Sequence, residues 1–231
     1  MTFKVLKKVI KLKSVDSTNK FIKKTPLPNG TVVIAETQTS GYGKQGATWY
    51  SGKGGLWASY LIRKKITAPY IYVIISSIAI TDTMENFGLK ADIKWPNDIY
   101  IKGKKIAGIL IENDVFNKTL VTGIGININN EISPQVKTTA TSMREILKKQ
   151  VNAEKFFDEL LVRLDYYLAH IKKIRPAMIR KWTSLQLDIK GKRVRIGKLK
   201  GKVAAISKTG IVTLELAKGK TKKISGEIFF I

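Results

Sequence analysis

The sequence has no cysteine and a single histidine, His170. Disulfides, thiolate metal sites and cysteine nucleophiles are excluded, and a Ser-His-Asp triad would have to rest on that one imidazole. Long apolar runs are also scarce. The longest, about residues 70–80, falls well short of the roughly 20 residues needed to span a bilayer. Lys4, Lys7, Lys8 and Lys11 break up any signal-peptide core at the N-terminus, so a cytoplasmic protein is expected. Acidic residues are few: 17 Asp and Glu stand against 42 Lys and Arg, a net charge of +25. Such a field raises encounter rates with nucleic acid, acidic proteins and nucleotides. The basic residues read as spread over the chain rather than held in one tail or helix. Lysine dominates, whereas base readout leans on arginine.

What is present is a core. With 231 residues, 44% of them hydrophobic, the chain suits one large domain or a large one plus a small one. Residues 36–59 draw attention first. An apolar strand (residues 31–35) runs into a glycine-rich segment with Gly41, Gly43 and Gly46, and a second strand follows from Gly55 to Ile62. Glycine removes the Cβ that keeps backbone N–H groups away from an anion. The three glycines fit the spacing of a dinucleotide fingerprint, but no helix opens after Gly46. About twenty residues on, where a ribose-binding acid belongs, stand Arg63, Lys64 and Lys65. A Walker loop is excluded because no Gly-Lys-Ser/Thr follows.

In chain order, residues 3–13 read as a strand, and Asp16-Ser17-Thr18-Asn19 offers caps for a helix over 20–24. A buried helix is expected from Pro69 to Phe87 with Gly88 as its stop. Strands follow at 91–95, 99–101, 106–112 and 120–128, joined by hairpin turns that imply antiparallel pairing. Ser142 with Glu145 forms a capping box, and Asn152 caps a helix whose Phe157, Leu161, Leu164, Leu168 and Ile171 face the core. His170 falls beside that stripe as a surface or boundary residue. Pro176 is expected to open a last helix through Trp182. From Leu185 short alternating stretches punctuated by glycine point to a small all-β unit. The expected domains are 1–184 and 185–231.

Four segments together resemble the biotin protein ligases. They are Asp16-Ser17-Thr18-Asn19, the loop from Gln38 to Ser51, Lys94-Trp95-Pro96-Asn97-Asp98 with Lys105-Ile106-Ala107-Gly108-Ile109-Leu110-Ile111-Glu112, and Gly123-Ile124-Gly125-Ile126-Asn127. Thr141-Ser142-Met143 and Ser225-Gly226-Glu227 are weaker markers. The resemblance implies an α/β (α+β) fold of the class II aminoacyl-tRNA synthetase type, a mixed sheet flanked by helices, with a small C-terminal β-barrel. It implies an enzyme that activates biotin with ATP and Mg²⁺ as biotinyl-5'-AMP. The biotinyl group then passes to a lysine of a biotin carboxyl carrier protein, an acidic acceptor domain. The Ser-Thr-Asn stretch of the first marker begins at residue 17, so no N-terminal DNA-binding domain is expected, and neither DNA nor a membrane is an expected partner. A homodimer is compatible with the family.

By the same carry-over Lys105 is the main catalytic cation, with Lys94 and Lys44 as further candidates. Taken alone, Lys105 reads as a solvated turn lysine. Lys94 sits on a strand beside Trp95, where a lysine should not point idly into a core. Ser17, Thr18 and Gln38 would hydrogen-bond the ureido ring of biotin, with Asn19 nearby. Gly41, Tyr42, Gly43 and Lys44 would close over biotin and the phosphate, and Gly108 would pack against the ligand. Trp49, Asn97 and Asn127 belong with the nucleotide. Asp98 would hold Mg²⁺ through water, or serve only as a turn aspartate. The family's loop usually reads Gly-Arg-Gly-Arg-x-Gly-Arg, and here Tyr42, Lys44 and Ala47 stand at the arginine positions. Weaker retention of the adenylate is therefore expected.

Two rivals remain: a lipoate or octanoyl ligase on the same fold, and a non-catalytic basic nucleic-acid-binding protein. The first relies on a histidine after its glycine segment, and none precedes His170. The second lacks a basic-aromatic repeat or a helix-turn-helix pattern.

Overall fold

The computed structural model describes residues 2–187, 191, 193–196, 199–206, 212–224 and 229–230. Its centre is a seven-stranded mixed sheet in the order β1-β2-β3-β7-β6-β5-β4. The strands are β1 (Lys8–Val15), β2 (Thr31–Gln38), β3 (Leu56–Arg63), β4 (Asp92–Lys94), β5 (Asp98–Ile101), β6 (Lys104–Asp114) and β7 (Thr119–Ile126). β1 and β2 are parallel and the other pairs antiparallel.

Alternation along the strands divides the buried residues between two faces, as a period of two requires. Val32, Tyr60, Ile62, Leu120 and Ile124 join the main core, while Val33, Leu61 and Val121 join a smaller cluster with Ile22 and Leu27. The main core lies under α2 (Tyr70–Asn86), α4 (Ala153–Ala169) and α5 (Ile171–Ser184). The smaller one lies under α1 (Thr18–Lys24). α2 follows Pro69, and Gly88 adopts φ +80 just past its end. Its buried residues run nearly unbroken from Ile71 to Thr81, as befits a helix apolar all round. The short α3 (Met143–Leu147) is capped by Ser142, whose hydroxyl accepts from the Glu145 N–H, and Asn152 caps α4 in the same way.

Two expectations are corrected. Residues 3–7 lie outside β1; the backbone N–H groups of Lys4, Val5 and Leu6 instead donate to the Asp165 carboxylate on α4 at 2.7–2.9 Å. Pro176 lies inside α5, which starts five residues earlier. The break between α4 and α5 falls at His170, whose N–H donates to the Tyr166 carbonyl and closes α4. The imidazole lies 4.4 Å from the Tyr166 ring at the boundary of the core.

Beyond α5 the chain runs along β4: the Ile93 N–H donates to the Leu185 carbonyl and the Leu187 N–H to that of Ile93. An otherwise open sheet edge is thereby paired. A second, antiparallel sheet follows in the order β11-β10-β9-β8-β12, from β8 (Arg193–Ile196), β9 (Leu199–Ile206), β10 (Val212–Glu215), β11 (Thr221–Ile224) and β12 (Phe229–Phe230). Part of the stretch expected to be all-β, including Gly197, Gly210 and Ile211, and the Ser225-Gly226-Glu227 marker lie outside the described residues. Among the described residues no helix is long and apolar enough to cross a membrane.

Candidate active site

The middle of the large sheet carries a cavity of two lobes. The first is lined by Ser17, Thr18, Asn19, Gln38 and Tyr42, and also by Lys44, Asn97 and Gly108. The second is lined by Tyr50, Tyr100, Asn127, Asn130, Thr139 and Ala140. Thr48, Trp49 and Lys105 line both, so the junction between the lobes is a flat indole beside a cation.

The first lobe is built on α1. Ser17 is its N-cap, so Thr18 and Asn19 are fixed in the first turn and buried against the sheet. Gln38 ends β2; its carbonyl oxygen accepts the Thr18 N–H at 2.9 Å, and its amide donates to the Ser51 hydroxyl at 2.8 Å. Asn19 fits over β7 only because residue 123 is glycine: a Cβ there would lie 2.5 Å from Asn19 Oδ1. Ser59, central on β3, joins Thr18 and Asn19 through hydrogen bonds of 2.6 and 2.5 Å.

The glycine segment folds back over this lobe. Gly41 has room only for hydrogen, since a Cβ would stand 2.5 Å from the Trp49 carbonyl oxygen and 2.6 Å from Ser51 Oγ. Gly43 lines the cavity, and Gly46 takes φ +76 in the turn. The Tyr42 hydroxyl donates to Glu112 at 2.8 Å. Burial and that neighbouring carboxylate push the phenol above its ordinary range, so it stays a donor. Burial also pushes the Glu112 carboxyl up, but hydrogen bonds from Lys23, Tyr42 and Asn19 outweigh it and hold the group below the usual glutamate range.

At the junction, Lys105 Nζ lies 2.8 Å from Asp98 and 5.1 Å from the Trp49 ring centroid. Lys44 Nζ donates to Asn97 Oδ1 at 2.8 Å, and the Asn97 amide donates in turn to the Ile109 carbonyl. Gly108 and Gly125 pack against the indole of Trp49; a Cβ on either would come within 3.1 and 2.4 Å of it. In the second lobe Asn127 is 7% exposed and donates to the Thr141 carbonyl, while its own Oδ1 accepts from Asn130. Asn130 Oδ1 and Trp49 Nε1 are buried without a partner.

Most residues singled out in the sequence meet here. Lys94 does not: its ammonium lies 3.5 Å from the Tyr100 hydroxyl and 5.3 Å above that ring, and it lines neither lobe. Gly41 shapes the loop rather than the wall. Gly125, in one of the four segments, lines the first lobe as well; Ser59, Ser51, Thr48 and Asn130 are site residues without an expected role, and Glu112 had been given none. Serines within a strand carry no local signal of what they face, because their partners come from distant segments.

The large sheet thus carries a glycine-covered lobe, a second polar lobe and a lysine between them. The chain belongs to the biotin/lipoate A/B protein ligase family, whose model matches residues 8–129. Within it, the chain is similar to the bifunctional ligase/repressor BirA of Bacillus subtilis, 31% identical over 94% of this chain and 71% of the relative. It is also 27% identical to the biotin–[acetyl-CoA-carboxylase] ligase of Mycobacterium tuberculosis, over 73% of this chain and 65% of that one. Among solved structures, the biotin protein ligase of Aquifex aeolicus in complex with biotin and ATP matches with a TM-score of 0.86. That match has 31% identity and covers 97% of this chain and 99% of the other.

Proposed function

We propose that this protein is a biotin protein ligase, which activates biotin with ATP and transfers it to a lysine of a biotin carboxyl carrier protein. The observation that carries this reading is the position of Lys105, shared by both lobes beside Trp49. In the first step a biotin carboxylate oxygen attacks the α-phosphorus, the bond to the β-phosphate oxygen breaks, and pyrophosphate leaves. Two anions must meet, so fixed positive charge at the junction lowers the barrier. In the second step the carrier's lysine amine attacks the acyl carbon; AMP leaves with the C–O bond electrons, and the amine releases a proton as the amide forms.

The first lobe suits the ureido ring because it offers small neutral donors and acceptors, Thr18, Asn19 and Gln38, rather than charge. The second suits a nucleotide base, with the unpartnered Asn130 Oδ1 as an acceptor for an exocyclic amine. Lys44 and Asn97 form the bridge over the phosphate. Magnesium would come with the nucleotide. Among the described residues no group of three His, Cys, Asp or Glu could cage it. One junction carboxylate, Asp98, fits an ion held chiefly by phosphates and water. Such an ion offsets phosphate charge.

The decisive experiment supplies ATP with either biotin or lipoate and measures pyrophosphate. Release with biotin alone is expected. Release with lipoate, or with neither, would overturn the reading.

A further inference from the structure

Glu112, on β6, touches both the floor of the first lobe and the glycine segment above it. Its Oε2 accepts from the Tyr42 hydroxyl and the Asn19 amide, each at 2.8 Å, and its Oε1 faces Lys23 at 2.5 Å. The bonds behind Asn19 have a direction that can be worked out by counting protons. An ionised carboxylate only accepts and a hydroxyl has one proton to give. Asn19 must therefore turn its amide to Glu112 and its carbonyl oxygen to Ser59, which donates to it at 2.5 Å. Ser59 has then given its only proton, so at 2.6 Å it accepts from Thr18. The Thr18 proton thus goes to Ser59 rather than to Gln38 Oε1, the more distant acceptor at 3.1 Å, and Gln38 Oε1 is held by the Thr18 N–H at 2.9 Å. Toward the lobe the Thr18 hydroxyl is left with lone pairs alone.

We infer that Glu112 is a positioning residue with two arms. Through Asn19 and Ser59 it sets Thr18 as an acceptor for a ligand N–H group, and through Tyr42 it holds the glycine segment closed before any ligand arrives. The first arm rests on the proposed reading of this lobe as the ureido site, since a cyclic urea presents N–H donors. The second arm rests on geometry alone. Both arms meet at Oε2, so a glutamine at 112 could keep them with its one oxygen and lose only the Lys23 contact, whereas alanine removes the acceptor altogether.

The two arms separate in three variants. Ser59→Ala breaks the floor relay only and is expected to weaken biotin binding about tenfold while leaving hydrogen exchange of residues 39–50 in the ligand-free protein unchanged. Tyr42→Phe breaks the segment contact only and is expected to speed that exchange about tenfold. Glu112→Ala, which removes the shared acceptor, is expected to do both. The readouts are calorimetry with biotin and exchange mass spectrometry without it. Biotin affinity within twofold of wild type in Ser59→Ala overturns the first arm, and unchanged exchange in Tyr42→Phe overturns the second; neither depends on Glu112→Ala folding. Should wild type bind no biotin, the proposed function fails and the first arm with it. The exchange data would still decide the second.

Discussion

Lys105 shows how a residue's meaning depends on neighbours elsewhere in the chain, here 7 and 56 residues away. On its own it is a turn lysine beside Lys104. In the fold, Asp98 draws its ammonium to the junction and Trp49 covers it. Replacing it with methionine keeps much of the apolar stem against the indole and removes the charge. Lys105→Met should lower the rate of pyrophosphate release by about 10²–10³ while changing biotin affinity far less; single-turnover release and calorimetry separate the two. Lys44 is placed differently, reaching across from the glycine segment to Asn97. A lysine offers one point charge where arginine offers a planar fork. Lys44→Arg should therefore slow escape of the adenylate, read as less labelling of bystander lysines. An unchanged rate would remove the retention argument.

At the level of elements, β7 shows why glycines recur within an otherwise apolar strand. Gly123 admits Asn19 and Gly125 admits Trp49. β7 is held on both sides, by β3 and β6, so it cannot yield to a new methyl group. Gly125→Ala places a Cβ 2.4–2.8 Å from three indole atoms, and Trp49 must move. The expected cost is about a hundredfold in pyrophosphate release, since a displacement near 1 Å at a reacting centre is worth that much. Tryptophan fluorescence should shift as the indole moves, and a wild-type rate would show that Trp49 does not wall the site.

Much of this was readable in advance. The periods of two and 3.6, the caps at Ser17, Ser142 and Asn152 and the turn glycines are local signals. They placed β2, β3, α2 and α4 to within a few residues. What was not readable depends on contacts distant in sequence. Asp165 serves N–H groups 159–161 residues away, which keeps residues 4–6 out of the N-terminal strand. Glu112 meets Asn19 across 93 residues. Pro176 misled because proline commonly opens helices, whereas this helix had already started where His170 closes α4.

Over the whole molecule the charge is less even than a first reading of the sequence suggests. Residues 171–231 hold 17 Lys and Arg against 3 Asp and Glu, so this last quarter carries +14 of the net +25. α5 contains no acidic residue, and Lys172, Lys173, Arg175 and Arg180 on it are exposed. Nothing in the proposed adenylation requires this, because that step is assigned to the junction inside the large sheet. Transfer does involve a second macromolecule, and for an acidic carrier domain a concentrated basic field speeds encounter without adding contacts. The two steps should then respond differently to salt. Screening shortens from about 10 Å at 0.1 M to about 3 Å at 1 M ionic strength. Carrier labelling at limiting carrier concentration should fall at least about tenfold over a rise from low to high salt. Labelling of a short acceptor peptide at saturating concentration should change little. Glutamine at Lys172, Lys173, Arg175 and Arg180 together should flatten the carrier's salt dependence and leave pyrophosphate release intact. A carrier rate that holds steady with salt in the wild-type enzyme would mean that the basic quarter serves something other than encounter with the carrier.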